Sequence, residues 1–243
     1  MALTAAQICT YARQAARCPG YTNQSGDFLN RILESLAQNY DLPNARYTYV
    51  NFPIGPNAGN GYNTQFYVLD LSVIGPGVTY LRTKEVFYQQ QGTIFFISQI
   101  ALENYDKLFQ GTGISNYPYW FTVNVEPTLT GGFPQMAFYP PPNLSLLPTI
   151  RLQYQPADIA TPENSSAIPW FPNQKYLITQ LTADLMLLTG DQRQAQYDAS
   201  ARDQLLHYMK MDDDNEGFAQ VVKLDPTRFR SVSDLKPTKT TGF

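Results

Sequence analysis

The chain has 243 residues, enough for one large domain or two small ones and for a core that needs no disulfide support. Charged residues make up 15%, against about 25% in ordinary domains. Aromatics reach 14% through 17 Tyr, 14 Phe and 2 Trp, so the composition is that of a folded, aromatic-rich protein with an uncharged polar surface. A formal charge of −3 argues against a general nucleic-acid binder, which needs a basic face for phosphates. No run approaches the roughly 18 uncharged apolar residues of a membrane span, and no basic stretch followed by an apolar one marks a secretory signal.

Residues 2–18 are amphipathic and contain Arg13 and Arg17 without acids, a weak likeness to a transit peptide that reads better as an ordinary first helix. Thr4 and Gln7 form a capping box at its start. Ala5, Ile8, Ala12 and Ala15 then recur at helical spacing, and Pro19-Gly20 stops the helix. Cys9 and Cys18, the only cysteines, fall on opposite faces of a helix at that separation, so they do not pair there and a reducing compartment is the simpler reading. A second helix is predicted from Asp27 to Tyr40, with Phe28, Ile32, Leu33 and Leu36 on one face and Leu42-Pro43 closing it.

Residues 45–156 read as strands and turns. Tyr119, Phe121, Val123 and Val125 alternate with Trp120, Thr122, Asn124 and Glu126, and Ile150, Leu152 and Tyr154 alternate with Arg151 and Gln153. Further strands are predicted at Tyr47–Phe52, Gln65–Ser72, Val78–Leu81, Glu85–Gln89, Thr93–Ile97 and Gln135–Tyr139, with a short helix between Ser98 and Phe109. Gly and Pro clusters supply the turns, and the many short strands suggest an antiparallel sandwich or barrel-like insert.

Helix returns at 172–211. Pro172 suits a first helical position, Leu177, Ile178, Leu181, Leu185 and Leu188 form an apolar stripe, and Gly190 ends it. Asp191 with Gln194 caps a further helix whose inner face is predicted as Ala195, Ala199, Leu206 and Met209. The expected fold is therefore α+β. Two N-terminal helices (1–44) and a C-terminal helix hairpin (157–211) make a small four-helix bundle, a β-rich insert occupies 45–156, and 212–243 forms an extended C-terminal arm.

Catalytic signals are poor. His207 is the sole histidine and reads as a surface or boundary residue; a metal site wants several His or Cys at defined spacing. No nucleophile elbow or phosphate-binding loop is present, and Gly59-Asn60-Gly61 reads as a hairpin turn. Asp212 to Gly217 resembles the start of a calcium loop, but the twelfth position is Lys223 where a bidentate Glu belongs, so a solvated acidic linker is expected. No catalytic residue, cofactor or metal is expected, and the protein reads as a non-enzyme. Tyr117, Tyr119, Trp120 and Tyr139 fit either a sugar-stacking surface or sheet packing, of which packing is preferred because aromatics favour cross-strand pairs.

The last segment is more informative. Residues 218–243 carry Phe218, Val221, Val222, Leu224, Phe229, Leu235 and Phe243 as apolar anchors. Lys223, Arg228, Arg230, Lys236 and Lys239 stand against Asp225 and Asp234, a local +3 in an acidic protein. Such a segment lacks a core of its own, and its alternation of anchors and cations suits docking onto a partner.

The order of these parts resembles the head-to-tail adaptors (connector or head completion proteins) of tailed bacteriophages, most like those of short-tailed phages. Four stretches carry the likeness. The first is Asp27-Phe28-Leu29-Asn30-Arg31-Ile32-Leu33 followed by Tyr40-Asp41. The second runs from Tyr117-Pro118 through Ala137-Phe138-Tyr139-Pro140-Pro141-Pro142 to Leu152-Gln153-Tyr154. The third is Pro169-Trp170-Phe171-Pro172 leading to Leu188-Thr189-Gly190-Asp191. The fourth is Lys223-Leu224-Asp225-Pro226-Thr227-Arg228-Phe229 with Leu235-Lys236-Pro237-Thr238-Lys239.

The resemblance implies a structural virion protein at the head-to-tail interface, made in the host cytoplasm. It implies a homo-oligomeric, dodecameric ring bound beneath the portal, with genomic DNA passing through its channel without sequence-specific contact and a tail or nozzle protein docked below. The docking arm implied for the portal comprises Phe218, Val221, Leu224, Arg228, Phe229, Arg230, Leu235, Lys236, Lys239 and Phe243. No membrane partner is implied. The β insert is larger than in minimal, mostly helical adaptors. The alternative from a different class is a tail or host-recognition module that binds surface glycans through the aromatic insert.

Overall fold

The computed structural model describes residues 2–55, 66–109, 117–124 and 133–215. Among these residues the architecture is mixed α and β, with five α-helices and a curled seven-stranded sheet that makes a half-barrel. Four of the helices share one hydrophobic core, and the sheet wraps a second.

Helix α1 spans Ala5–Ala15 and opens with the capping box formed by Thr4 and Gln7. Its apolar stripe buries Ala5, Ile8 and Ala12, while Ala15 is only half-buried and Ala16 takes the inward position. Helix α2 covers Thr22–Asn39 and starts five residues before the predicted Asp27. Ser25 and Gly26 are the cause: both are buried in the first turns, where a side chain on Gly26 would collide with Glu163 of a 3-10 turn at Pro162–Asn164. Polar and small residues there looked like a loop but serve close packing. Cys9 and Cys18 are both free and both buried; Cys18 lies beyond the end of α1, so the two thiols do not occupy opposite faces of one helix.

Helix α4, Gln174–Thr189, is capped by Asn173, whose side chain accepts from the Tyr176 N–H; Pro172 therefore precedes the helix and does not take its first position. Leu177, Leu181 and Leu185 are buried, but Leu188 is 47% exposed, because the helix is ending there and turns that face to solvent. Gly190 adopts the left-handed conformation (φ 69°) that ends helices. Asp191 then accepts from the Arg193 N–H, and helix α5 begins at Gln194.

Helix α5 runs Gln194–Asn215, and its inner face is not the predicted one. Ala201 and Leu205 are buried, with Tyr197, Tyr208 and Met209 partly so, whereas Ala195 and Ala199 are exposed and Leu206 is 57% exposed. The tyrosines fill space that small alanines leave empty, which rotates the helix by about one residue, or ~100°. Residues 212–215, expected as an acidic linker, belong to this helix.

The seven strands are β1 Arg46–Tyr49, β2 Tyr67–Val68, β3 Thr79–Gln90, β4 Thr93–Gln99, β5 Trp120–Asn124, β6 Gln135–Tyr139 and β7 Thr149–Gln155, ordered β1-β7-β3-β4-β5-β6-β2. The segments predicted as Val78–Leu81 and Glu85–Gln89 are one continuous strand, β3. Register shifts between Tyr80 and Arg82 and between Thr83 and Glu85 carry the strand through the polar residues that separate the two predicted segments. The sheet is not wholly antiparallel: helix α3, Leu102–Phe109, crosses between β4 and β5 and makes that pair parallel, Ser98 beside Trp120.

Ile54, Leu69, Leu71, Val86, Phe138, Ile150 and Leu152 fill the inner face of the curled sheet. Helical core and sheet meet at the end of α2. Gln153 is fully buried; its Nε2 donates to the carbonyls of Ala37 (3.0 Å) and Tyr40 (2.7 Å), and its Oε1 accepts from Arg82 Nε (2.7 Å). Beside it, Asp41 pairs with Arg46 (3.0 Å) and with Lys84. Burial alone would raise the Asp41 pKa, but hydrogen bonds from Lys84 and Arg46 outweigh it and hold the carboxyl below its ordinary range.

Candidate functional site

The ten residues expected to form the docking arm, Phe218 through Phe243, lie outside the described residues, as do Gly59-Asn60-Gly61, Val125 and Glu126. Helix α5 carries the described chain to Asn215, directly before that arm. His207 is exposed on α5. Among the described residues no group of three or more His, Cys, Asp or Glu is placed to hold a metal ion. No described helix is long and apolar enough to cross a membrane.

The four aromatics singled out above divide between two groups of rings, one around Tyr88 and one around Trp120. Tyr117 stacks on Tyr88 (5.6 Å, 6° between planes), and Tyr88 stacks on Phe95 (5.2 Å, 15°). Gln90 Nε2 donates to the Tyr117 hydroxyl. Trp120 and Tyr139 are direct cross-strand partners and stack at 6.0 Å, while Tyr119 meets Trp120 edge-on at 6.0 Å and is 57% exposed. Ring faces that cover one another are withdrawn from a sugar, so the arrangement favours the packing role over glycan stacking.

A cleft of about 320 Å³ lies between α2, α4 and α5. Arg31, Asn39 and Tyr40 line it from α2, Tyr176 and Asp184 from α4, Asp198 and Arg202 from α5. Burial raises the Asp184 pKa, a tendency that a hydrogen bond from Gln180 Nε2 (3.0 Å) opposes. Burial likewise pushes the Tyr176 hydroxyl up to about 12. Asp198 accepts from Arg202 at 2.7 Å one helical turn away. The cleft thus offers two carboxyl groups beside two guanidinium groups, an arrangement suited to receiving polar side chains of another chain. Among the described residues it brings no nucleophile against a base.

Burial pushes the Cys9 thiol up to about 11, so it stays protonated and unreactive at neutral pH. Two features of the surface escape motif reading. The cleft depends on three helices far apart in the chain. The outer face of the sheet exposes Phe96 (67%) and Ile94 (51%), and its only sequence signal is the lack of any charge from 86 to 102. No family model matches the sequence, and no curated protein matches it.

Proposed function

We propose that the protein is a ring-forming head-to-tail adaptor of a tailed bacteriophage, a structural and non-enzymatic virion component. In this reading the α1, α2, α4 and α5 core is a four-helix bundle that builds the ring, and the curled sheet is a barrel-like insert that gives the tail or nozzle protein its platform. The segment beyond α5 is an extended arm that docks on the portal through Phe229, Leu235 and Phe243, with Arg228, Arg230, Lys236 and Lys239 steering it. DNA passes through the channel. The mild acidity of the chain suits that passage, since a channel wall without basic excess does not grip phosphates.

The observation that carries the reading is the placement of parts. Both ends of the chain build one helical core, which presents α5 as the launching point for a basic, aromatic-anchored segment. A ring of such arms gripping one portal gains from effective concentration, so each contact stays individually modest. Heterologous contacts between neighbouring subunits close the ring when the rotation per subunit is right.

The test mixes the purified chain with isolated portal rings and weighs the products by mass photometry. The expected result is a gain of one 27.4 kDa chain per portal subunit, lost when 218–243 are deleted. Portal capture that survives the deletion would remove the arm from the mechanism. No capture by a folded full-length chain would overturn the adaptor reading. Binding of the full chain to surface oligosaccharide, lost in Trp120→Ala, would favour the glycan-recognition alternative, for which the exposed Tyr119 ring speaks.

A further inference from the structure

The outer face of the sheet is covered in two places and open between them. The end of α2 lies over Gln153 on β7, and α3 lies over β5 and β6, where Thr122 and Ala137 are buried. In the gap, the strand registers place Phe87 of β3, Ile94 and Phe96 of β4, Trp120 of β5 and Tyr139 of β6 on one face. Phe96 is 67% exposed and Trp120 36%. The rings are already paired, Phe87 with Phe96 at 5.9 Å and Trp120 with Tyr139 at 6.0 Å, so little side-chain freedom remains to be lost on contact.

We propose that this strip seats a second copy of the chain, an inference that rests on the ring-forming reading above and adds a contact between neighbouring sheets to those the helical core makes. Area argues for it. At ~200 Å² for each large side chain, the strip leaves about 400 Å² uncovered. That lies within the ~300–600 Å² found as the largest, often functional, patch on monomers, and it supplies the apolar centre of an interface needing ~800 Å² per partner.

Charge argues for a copy in particular. Every copy carries the same net −3, so two copies meet best where the local surface holds no charge. Residues 86–102 and 117–124 contain none, and the pair that borders the strip at Phe87, Arg151 with Glu85 (2.7 Å), is neutral in sum.

The experiment compares the full-length wild type with the double variant Ile94→Ser, Phe96→Ser. Sedimentation velocity over ~1–100 μM reads self-association, and mass photometry with portal rings reads ring filling. Both side chains are exposed, so the variant should keep the wild-type circular dichroism and melting curve. Ile94→Arg, a single exposed position on the strip, is a second variant that alters no buried contact. The expected result is self-association weakened by about 30-fold or more, the size seen when an aromatic anchor is lost, with portal rings only partly filled although single copies still attach. Equal assembly of variant and wild type at every concentration and on the portal overturns the proposal. Loss of single-copy attachment overturns it as well, because the strip would then face the portal. If the wild type ignores the portal yet self-associates through the strip, the adaptor reading fails and this inference stands.

Discussion

Gln153→Leu tests whether one buried amide ties the helical core to the sheet. The leucine matches the glutamine in bulk but offers no donor to the Ala37 and Tyr40 carbonyls and no acceptor to Arg82. Two carbonyls at the end of α2 then lose a partner, as does the guanidinium of Arg82, an exposed residue. A buried group left without a hydrogen bond costs ~1–3 kcal/mol, and the part-buried Tyr40 and Arg82 bonds recover some of theirs from water, so the total is about 3–5 kcal/mol. That is a large share of the ~5–15 kcal/mol typical of a whole protein. Urea titration followed by circular dichroism and by tyrosine fluorescence gives the loss directly. The wild type should unfold in one transition by both probes. The variant should unfold earlier, with the sheet and helices separating into two transitions because their shared bonds are gone. Gln153→Glu should be worse than leucine, since its carboxylate faces two carbonyl oxygens. A Gln153→Leu protein within about 0.5 kcal/mol of wild type, with coincident probes, would refute the junction as described.

Three further outcomes follow from the geometry. Leu205→Ala should cost ~2–5 kcal/mol by chemical denaturation, while Leu206→Ala should stay within about 0.5 kcal/mol; the reverse would restore the helical face that the sequence suggests for α5. Gly55→Ala should destabilise by at least ~2 kcal/mol, because a Cβ there would sit 2.3 Å from the Leu144 carbonyl oxygen at a φ of +99°. Burial raises the Asp184 pKa in the folded state, so the native protein binds a proton there more readily than the unfolded chain, and stability from this group grows as pH falls from neutral through its folded pKa. Asp184→Asn should therefore raise the melting temperature near pH 7, with the gain shrinking as pH is lowered toward 4; a gain independent of pH would dissociate it from ionisation.

Local signals in the sequence carry far in this chain. The Thr4–Gln7 box, the stripes of α1 and α2 and the Gly190 stop are legible because each depends on residues within one or two turns. Longer-range features are not. The face of α5 is decided by how Tyr197 and Tyr208 fit against Phe171 and its neighbours, and alternation of small and large residues along the helix gives no clean stripe. The start of α2 is set by the approach of Glu163, well over a hundred positions away. β3 looked divided because Arg82-Thr83-Lys84 is polar, yet those side chains reach Gln153 and Asp41 across the sheet. At the surface, the uncharged run from 86 to 102 takes its meaning only from the register that gathers Phe87, Phe96 and Trp120 onto one face.

The reciprocal bonds between Leu3 and Gln174 join residues 171 positions apart. A ribosome adding ~5–20 residues per second needs about 10–30 s to make the second after the first. Throughout that interval Ile8, Leu29 and Leu36 have nothing to bury against from α4, because their partners have not been made. The sheet, whose strands all lie between, is complete first. Synthesis thus orders assembly: an early helix pair waits with its apolar side uncovered, the sheet closes, and only the late hairpin of α4 and α5 completes the core. Non-local contacts of this kind slow folding and leave the nascent chain exposed to aggregation, so the yield of folded protein should respond to chaperone supply and translation rate more than to substitutions on the finished surface.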